Sequence, residues 1–126
     1  MKTAVYNPVG YFEIPVADLS RAVAFYEQVF EFTLNQTIID GYQMAVFPFD
    51  PAKPGITGAL AYGDDYIPGK QGVRIYFSVS NIDETLQKAV SAGGEVLYPK
   101  TSLGELGWVA EFEDSEGNCI ALHAQE

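Results

Sequence analysis

Hydrophobic and polar residues alternate along a short segment near the start of the chain, and a second segment repeats the pattern about half a chain length later. Residues 11–19 and 74–82 each read as a short strand that runs directly into the start of a helix. Two copies of so long a unit are unlike a solenoid, whose repeats are shorter and more numerous. The pattern therefore predicts two copies of one supersecondary unit, with a cleft where they meet.

The first copy, module one, spans about residues 8–63 and is predicted to have the order β-α-β-β-β. Asp18 is the expected N-cap of its helix, because an Asp side chain accepts hydrogen bonds from the free N–H groups of the first turn. Asp40 and Gly41 are expected to form the tight turn of a hairpin. The predicted elements are a strand with Phe12, Ile14 and Val16 on one face, a helix with the apolar stripe Ala22, Val23, Tyr26, Val29 and Phe30, and strands at 31–39, 42–49 and 56–62.

The second copy, module two, spans about residues 73–124 and follows a connector at 64–72 that is rich in turn-forming and charged residues. Its helix is expected to begin at Asn81, with Glu84 completing a capping box, and to end at Gly93 and Gly94. The predicted elements are a strand at 73–79, this helix, a strand at 95–98, a long loop at 99–107, a strand at 108–113, a turn at 114–117 and a strand at 118–124.

Size and charge narrow the classes of partner. A chain of 126 residues that is 48% hydrophobic supports one ordinary core, so we expect a single domain over residues 1–126. The 17 Asp and Glu against 7 Lys and Arg give a net charge of −10, which disfavours nucleic acid and anionic membranes and is otherwise explained by solubility. No apolar run approaches the roughly 18 residues of a membrane span, and residues 1–8 lack the apolar region of a secretion signal. Cys119 is the only cysteine, so we expect a protein of the reducing cytoplasm.

Two segments carry a family resemblance. Residues 16–26 contain the pattern V-x-D-L followed by A-x-x-F-Y, and residues 112–122 contain D-x-x-G-N. Together with the duplicated βαβββ order, they resemble the vicinal oxygen chelate superfamily of glyoxalases, extradiol dioxygenases and bleomycin-resistance proteins. The resemblance covers roughly residues 8–124. It implies an α+β fold in which two tandem βαβββ modules form a curved mixed sheet around a cavity, and it implies a homodimer.

The resemblance also implies where a metal would be bound. Glyoxalase-like members carry ligands on the first and last strand of each module, and these positions correspond to Tyr11, Ala59, Arg74 and Ala121. Two methyl groups, a phenol and a permanent cation do not form a usable metal site. We therefore expect no metal and no other cofactor.

A displaced metal site is the alternative. Glu13, Glu111 and His123 are oxygen and imidazole donors on strand positions that face the predicted cavity. Three such donors would suffice for a catalytic type of site if they converge.

Strand alternation assigns the candidate ligand-binding residues to one concave face. Arg74 would bind a carboxylate or phosphate, or pair with Glu13. His123, with Glu13, is a weak candidate for acid-base catalysis, and it is equally explained as a solvated residue at the end of a strand. Small side chains would leave volume for a ligand, unless other side chains fill the interior, and Cys119 is expected to be a small buried residue. The candidate ligand-binding residues are Tyr11, Glu13, Ala59, Arg74, Tyr76, Ala121 and His123.

Two segments are candidates for lids over the cavity. Residues 66–70 and 100–107 are long for hairpin connections and contain glycines. They are equally compatible with dimer contacts, since Leu103, Leu106 and Trp108 would otherwise leave apolar surface in water.

Three functions follow from the sequence. The favoured one is a metal-free protein that binds a planar or anionic organic molecule. The second is a lyase, isomerase or dioxygenase of the glyoxalase type that uses displaced ligands or acid-base chemistry. The third is a subunit that serves only assembly. All three stay open, because fold alone does not fix function.

Overall fold

The computed structural model describes residues 7–126. Residues 1–6, part of the segment for which we expect no targeting signal, lie outside this range. The first module follows the predicted order. It contains β1 (Phe12–Val16), α1 (Leu19–Phe30), β2 (Asn35–Ile39), β3 (Tyr42–Val46) and β4 (Gly58–Tyr62).

The second module repeats this order after the connector. A single 3-10 turn at Gly104–Leu106 separates two of its strands. The module contains β5 (Tyr76–Ser78), α2 (Ile82–Ser91), β6 (Glu95–Ser102), β7 (Trp108–Glu113) and β8 (Cys119–Ala124).

Each module forms its own four-stranded mixed sheet. The strand orders are β1-β4-β3-β2 and β5-β8-β7-β6, and the first strand of each module pairs in parallel with the last. Gly58 permits the close pairing of β4 with β1, because a Cβ atom there would lie 2.1 Å from the carbonyl oxygen of Phe12. The α+β class and the two βαβββ modules are confirmed, as two separate sheets that do not close. The assignment of residues 1–126 to one domain stays a prediction.

The helix boundaries follow the predicted capping residues. Asp18 and Asn81 each accept a hydrogen bond at 3.0 Å from the backbone N–H three residues later. The Glu84 carboxylate accepts from Lys88 at 3.1 Å, so the capping box is formed on one side only. Gly93, with a φ of 101°, ends the second helix region as expected.

The largest differences from the predicted strand limits affect three strands. β2 begins four residues later than the predicted start at Glu31, because Glu31 adopts a left-handed conformation and terminates α1. β5 is reduced to Tyr76–Ser78. β6 continues through Pro99, where a loop was expected; β6 lies at the edge of its sheet, where proline is tolerated, and its pairing with β7 shifts register there.

One hydrophobic core joins the modules. Both helices contribute to it, together with the helix-facing sides of both sheets. Strand alternation correctly assigned Ile14, Leu60, Ile120 and Leu122 to the core and Phe12 and Phe77 to positions that pack against it. Ile75, which alternation also assigned to the core, lines the two cavities described below instead. None of the helices within residues 7–126 has the length and apolar composition of a membrane span.

A buried carboxylate connects the turn between β7 and β8 to α1. Asp114 Oδ2 accepts a hydrogen bond at 2.6 Å from the hydroxyl of Tyr26, a residue with no exposed surface. Asp114 also accepts from the backbone N–H groups of Glu116 and Asn118 and from the Asn118 side chain. Burial, together with the Asp114 charge, raises the pKa of Tyr26 well above 10. The D-x-x-G-N segment therefore holds the second module against the first.

A second carboxylate of the same turn binds the start of α1. Glu116 accepts hydrogen bonds at 2.9 Å from the backbone N–H groups of Ala17 and Asp18, and Arg21 donates to both of its oxygens at 2.8 and 2.9 Å. Its side chain has no exposed surface. Burial alone would raise the pKa of Glu116, but the bonds from Arg21, Ser115 and the backbone outweigh burial and lower the pKa from 4.5 to about 2.

Candidate functional site

Two open cavities lie where the first strand regions of the two modules approach each other. The first has a volume of about 480 Å³ and the second about 470 Å³. Phe12 and Ile75 line both cavities, so these two residues separate them. Both cavities combine residues of the two modules, as expected for a cleft at their junction.

The first cavity lies beneath the connector. Glu13 and Cys119 line it from the two modules, while Ile67 and Lys70 line it from the connector. Lys70 forms an ion pair with Glu113 at 2.9 Å. This cavity therefore presents both signs of charge beside apolar surface.

The second cavity has a floor of aromatic rings. Phe12, Phe47 and Phe77 contact one another with ring centroids 5.6–6.0 Å apart, and Phe32 lies 5.5 Å from Phe47. All four residues line the cavity. Such packed rings form a rigid, apolar surface suited to a flat molecule.

Two of the predicted ligand-binding residues lie together at this second cavity. Arg74 and Tyr76 both line it, and Tyr76 is half exposed. The Arg74 Nη1 atom lies 2.9 Å from Oε2 of Glu111, and the arginine side chain stays partly exposed. The predicted alternative of an Arg74 pair with Glu13 is therefore wrong. Arg74 precedes β5, and its side chain reaches across β8 to Glu111 on β7 of the same module.

Cys119 shares this acidic partner. Its Sγ atom lies 3.6 Å from the other carboxylate oxygen of Glu111, to which the thiol donates. Burial, followed by the charge of Glu111, raises the pKa of the thiol. A thiol held in its protonated form is a weak nucleophile. Cys119 is only partly buried, whereas a buried residue was expected.

Glu13 lies instead in a cluster of tyrosines on the concave face of module one. Tyr66 of the connector donates to Glu13 Oε1 at 2.6 Å, and Tyr11 donates to Oε2 at 3.0 Å. The hydrogen bond to Glu13, with burial, raises the pKa of Tyr66 to about 12. Burial and then Glu13 raise the pKa of Tyr11. Both phenols are therefore neutral hydrogen-bond donors near pH 7.

The two alanines of the predicted site have no exposed surface. Ala59 belongs to a small cluster with Met44 and Ala61, against which Tyr66 packs. Ala121 pairs with Tyr76 on one side and Glu111 on the other. Neither methyl group lines one of the described cavities, so the expected free volume above them is filled by neighbouring side chains.

His123 lies apart from the tyrosine cluster. Its Nε2 atom is 2.6 Å from the carbonyl oxygen of Leu106, in the 3-10 turn. Because a carbonyl only accepts, the ring donates from Nε2. The histidine thus fixes the predicted lid at 100–107, and the described contacts do not bring it together with Glu13 as an acid-base pair.

The residues present do not fit the metal that the fold family implies. At the four corresponding positions, Ala59 and Ala121 offer only methyl groups, Tyr11 donates to Glu13 and Arg74 pairs with Glu111. For the displaced alternative, no group of three or more His, Cys, Asp or Glu side chains that could hold a metal ion is found within residues 7–126.

Sequence reasoning missed some residues that shape these sites. Phe32 and Phe47 were placed in strands with no role in binding, although the dense spacing of aromatic residues from 30 to 49 indicated a ring cluster. Tyr66 was assigned to a candidate lid, and its contact with Glu13 depends on the folded path of the connector.

Comparisons with known proteins identify the fold. A family model described as Glyoxalase/Bleomycin resistance protein/Dioxygenase superfamily matches residues 9–122. No curated protein matches the chain.

Solved structures give the same result at low sequence identity. TnmS3, an antibiotic binding protein from Streptomyces sp. CB03234, is 22% identical with a TM-score of 0.70, over 98% of this chain and all of that one (100%). A glyoxylase/bleomycin resistance protein/dioxygenase domain from Frankia sp. EAN1pec is 18% identical with a TM-score of 0.72, over 96% and 99% of the two chains. A family enzyme from Burkholderia phytofirmans PsJN is 17% identical with a TM-score of 0.67, over 93% and 98%. At these identities the likeness concerns the fold.

Proposed function

Since the chain belongs to the Glyoxalase/Bleomycin resistance protein/Dioxygenase superfamily, we propose that it is a metal-free member that binds a planar aromatic anion in the second cavity. The observation that carries this proposal is the combination of one partly exposed arginine, Arg74, with a floor of packed phenylalanine rings in a cavity of about 470 Å³. That volume is typical of a site for one small organic molecule.

The two parts of the cavity would recognise different parts of the ligand. The rings of Phe12, Phe47 and Phe77 would contact an aromatic face and remove apolar surface from water, at about 25 cal/mol per Å². The guanidinium of Arg74 carries five N–H donors, of which the contact with Glu111 involves Nη1. The remaining donors would bind a carboxylate, and the hydroxyl of Tyr76 at the cavity edge would add a hydrogen bond.

The pairing with Glu111 sets the selectivity of Arg74 for strong acceptors. Glu111 already neutralises part of the arginine charge. A ligand therefore gains affinity at Arg74 only if its acceptor group is stronger than the water it displaces, as an anionic group is. Neutral aromatic amides would gain little. The proposal therefore distinguishes carboxylates from their uncharged analogues.

A solved relative supports binding rather than catalysis as the first choice. TnmS3 is described as an antibiotic binding protein, so this fold serves binding in at least one protein of the same length. We further propose a homodimer in the cytoplasm. The support is the half-exposed Leu103 and the largely exposed Leu106 for the dimer, and the single Cys119 for a reducing compartment.

Replacing Arg74 with alanine tests the proposal. We expect the affinity for 2-naphthoate to fall by about 1.5–3 kcal/mol, because a charge-assisted hydrogen bond is lost. Isothermal titration calorimetry against 2-naphthoate and 2-naphthamide measures the effect, and the neutral amide should be insensitive to the change. Lys100→Ala is the matched control, since it removes one positive charge at a residue that lines neither cavity. Equal 2-naphthoate affinity in the wild type and Arg74→Ala would contradict the proposal.

Metal content is a second, independent test. We expect protein purified after incubation with Ni²⁺, Zn²⁺ or Fe²⁺ to retain far less than a stoichiometric amount, because the donor sets described above do not converge. Inductively coupled plasma mass spectrometry after desalting measures this. Stoichiometric metal that disappears in His123→Ala would instead support the displaced metal site and the enzymatic alternative.

A further inference from the structure

The concave face of module one is occupied by a side chain of the connector. The Tyr66 hydroxyl donates to Glu13 at 2.6 Å, and the ring meets Tyr42 edge to face with centroids 5.2 Å apart. Beneath the ring lie Ala59 and Ala61, which have no exposed surface. The ring therefore lies on a floor of small residues, with one carboxylate at its polar end.

Tyr66 resembles a bound molecule more than a core residue. It belongs to no helix or strand, and it contacts a cluster that is separate from the main core. It is only half buried, and the adjacent Ile67 is 81% exposed. Its ring and hydroxyl make the contacts that a free phenol would make in the same place.

We propose that Tyr66 is a displaceable internal occupant of an additional binding site at Glu13, and that this site takes neutral phenols. The site is separate from the second cavity, which Arg74 lines. The hydroxyl of the ligand would donate to Glu13, and its ring would lie on Ala59 and Ala61. This inference is independent of the aromatic anion bound at Arg74.

The chemistry of Glu13 sets the ligand class. An ionised carboxylate only accepts hydrogen bonds, so the ligand must bring a donor. One oxygen of Glu13 already accepts from Tyr11, and the other accepts from Tyr66. Anionic ligands are repelled by the same charge. The site at Glu13 therefore favours neutral hydrogen-bond donors, whereas the cavity at Arg74 is expected to favour anions.

The connector can release Tyr66 without disturbing either sheet. Gly63 has a φ of 159° and precedes the turn in which the Tyr66 N–H donates to the Gly63 carbonyl. On either side of the tyrosine, Asp65 accepts a hydrogen bond from the Tyr42 hydroxyl of β3, and the Gly69 N–H donates to Asn118 at 3.0 Å. Rotation of the Tyr66 side chain between these two fixed points would uncover the alanine floor.

Competition with the internal ring determines the affinity of a free phenol. A ligand that binds only the open form has its affinity reduced by the fraction of molecules in that form. Weakening the internal contact should therefore tighten binding from solution. Loss of one hydrogen bond to a charged group corresponds to about tenfold in the opening equilibrium.

Titration of the full chain with p-cresol, followed by NMR, tests the proposal. We expect p-cresol to bind Tyr66→Phe about tenfold more tightly than the wild type, and Tyr66→Ala more tightly still. Toluene, which lacks the hydroxyl, should bind Tyr66→Ala at least tenfold more weakly than p-cresol does. Adding Glu13→Gln to Tyr66→Ala should remove about tenfold of the p-cresol affinity and leave toluene unchanged.

Two controls separate this site from general effects of substitution. Tyr98→Ala removes a half-exposed tyrosine from β6 and should leave p-cresol binding as in the wild type. Arg74→Ala, which alters the other site, should also leave it unchanged. Tyr66→Phe keeps the ring and its packing, so it carries the test even where Tyr66→Ala does not fold. Equal p-cresol affinity in the wild type and Tyr66→Phe, or equal binding of toluene and p-cresol, would overturn the proposal.

Discussion

Asp114→Ala should lower the free energy of unfolding by about 4 kcal/mol, because it removes a buried acceptor that serves four donors. The substitution leaves the fully buried Tyr26 hydroxyl, the Asn118 side-chain amide and two backbone N–H groups without this partner. Each unsatisfied buried donor costs about 1–3 kcal/mol, and partial rehydration of the turn reduces the sum. Urea unfolding followed by circular dichroism measures the loss, and the melting temperature should fall by about 15 °C.

Control variants separate the loss of the Asp114 contacts between the modules from the general effect of removing a negative charge. Asp64→Ala removes an exposed acidic residue of the connector and should change stability by less than about 0.5 kcal/mol. Tyr26→Phe removes one of the four donors and should cost less than Asp114→Ala. Melting of Asp114→Ala within a few degrees of the wild type would contradict the assigned role of this carboxylate.

Glu116→Gln should destabilise the protein by about 2 kcal/mol at pH 7, with a loss that disappears in acid. The Glu116 pKa is about 2 in the folded protein against an ordinary value of 4.5. A lowered folded-state pKa contributes stability that is complete above about pH 5 and is lost as the pH falls from there towards 2. The full shift would correspond to about 3 kcal/mol, and solvent at the half-exposed Arg21 screens part of it.

The pH dependence of the difference is the decisive measurement. Urea unfolding of the wild type and Glu116→Gln between pH 7 and pH 2.5 should give curves that converge as the pH decreases. Glu105→Gln changes an exposed glutamate in the 3-10 turn, and its curve should run parallel to that of the wild type. A gap between the wild type and Glu116→Gln that stays constant down to pH 2.5 would rule out this ionisation as its source.

The sequence predicted the architecture well because the local rules agreed with one another. Alternation in the strands separated the core residue Ile14 from the concave residue Glu13, and capping chemistry located the starts of both helices at Asp18 and Asn81. The strand limits were less accurate. Proline argued against a strand at Pro99, but a position at the sheet edge is known only once the strand order is known.

The candidate site was predictable by face but not by contact. Arg74 and Tyr76 were expected on the ligand side, and both line the second cavity. The expected partner of Arg74 was Glu13, on the matching strand of the other module, whereas the observed partner is Glu111 in the same sheet. Symmetry between the modules relates equivalent positions, but it carries no information about the distance between two sheets. The contact with Glu111 spans β8 and depends on the conformation of the long Arg74 side chain, which neither alternation nor the duplication predicts.

The rings beneath the second cavity both line the cavity and pack in the hydrophobic core, and this restricts which substitutions the protein tolerates there. Phe12, Phe47 and Phe77 form the floor of the cavity and also belong to, or pack against, the hydrophobic core. Enlarging the floor to admit a bulkier guest would forfeit about 3–5 kcal/mol for each ring truncated to alanine. Arg74 and Tyr76, at the edge of the cavity, do not belong to the hydrophobic core. Diversification of what the protein accepts should therefore proceed around the mouth of the cavity, while its base is held constant by the need to stay folded.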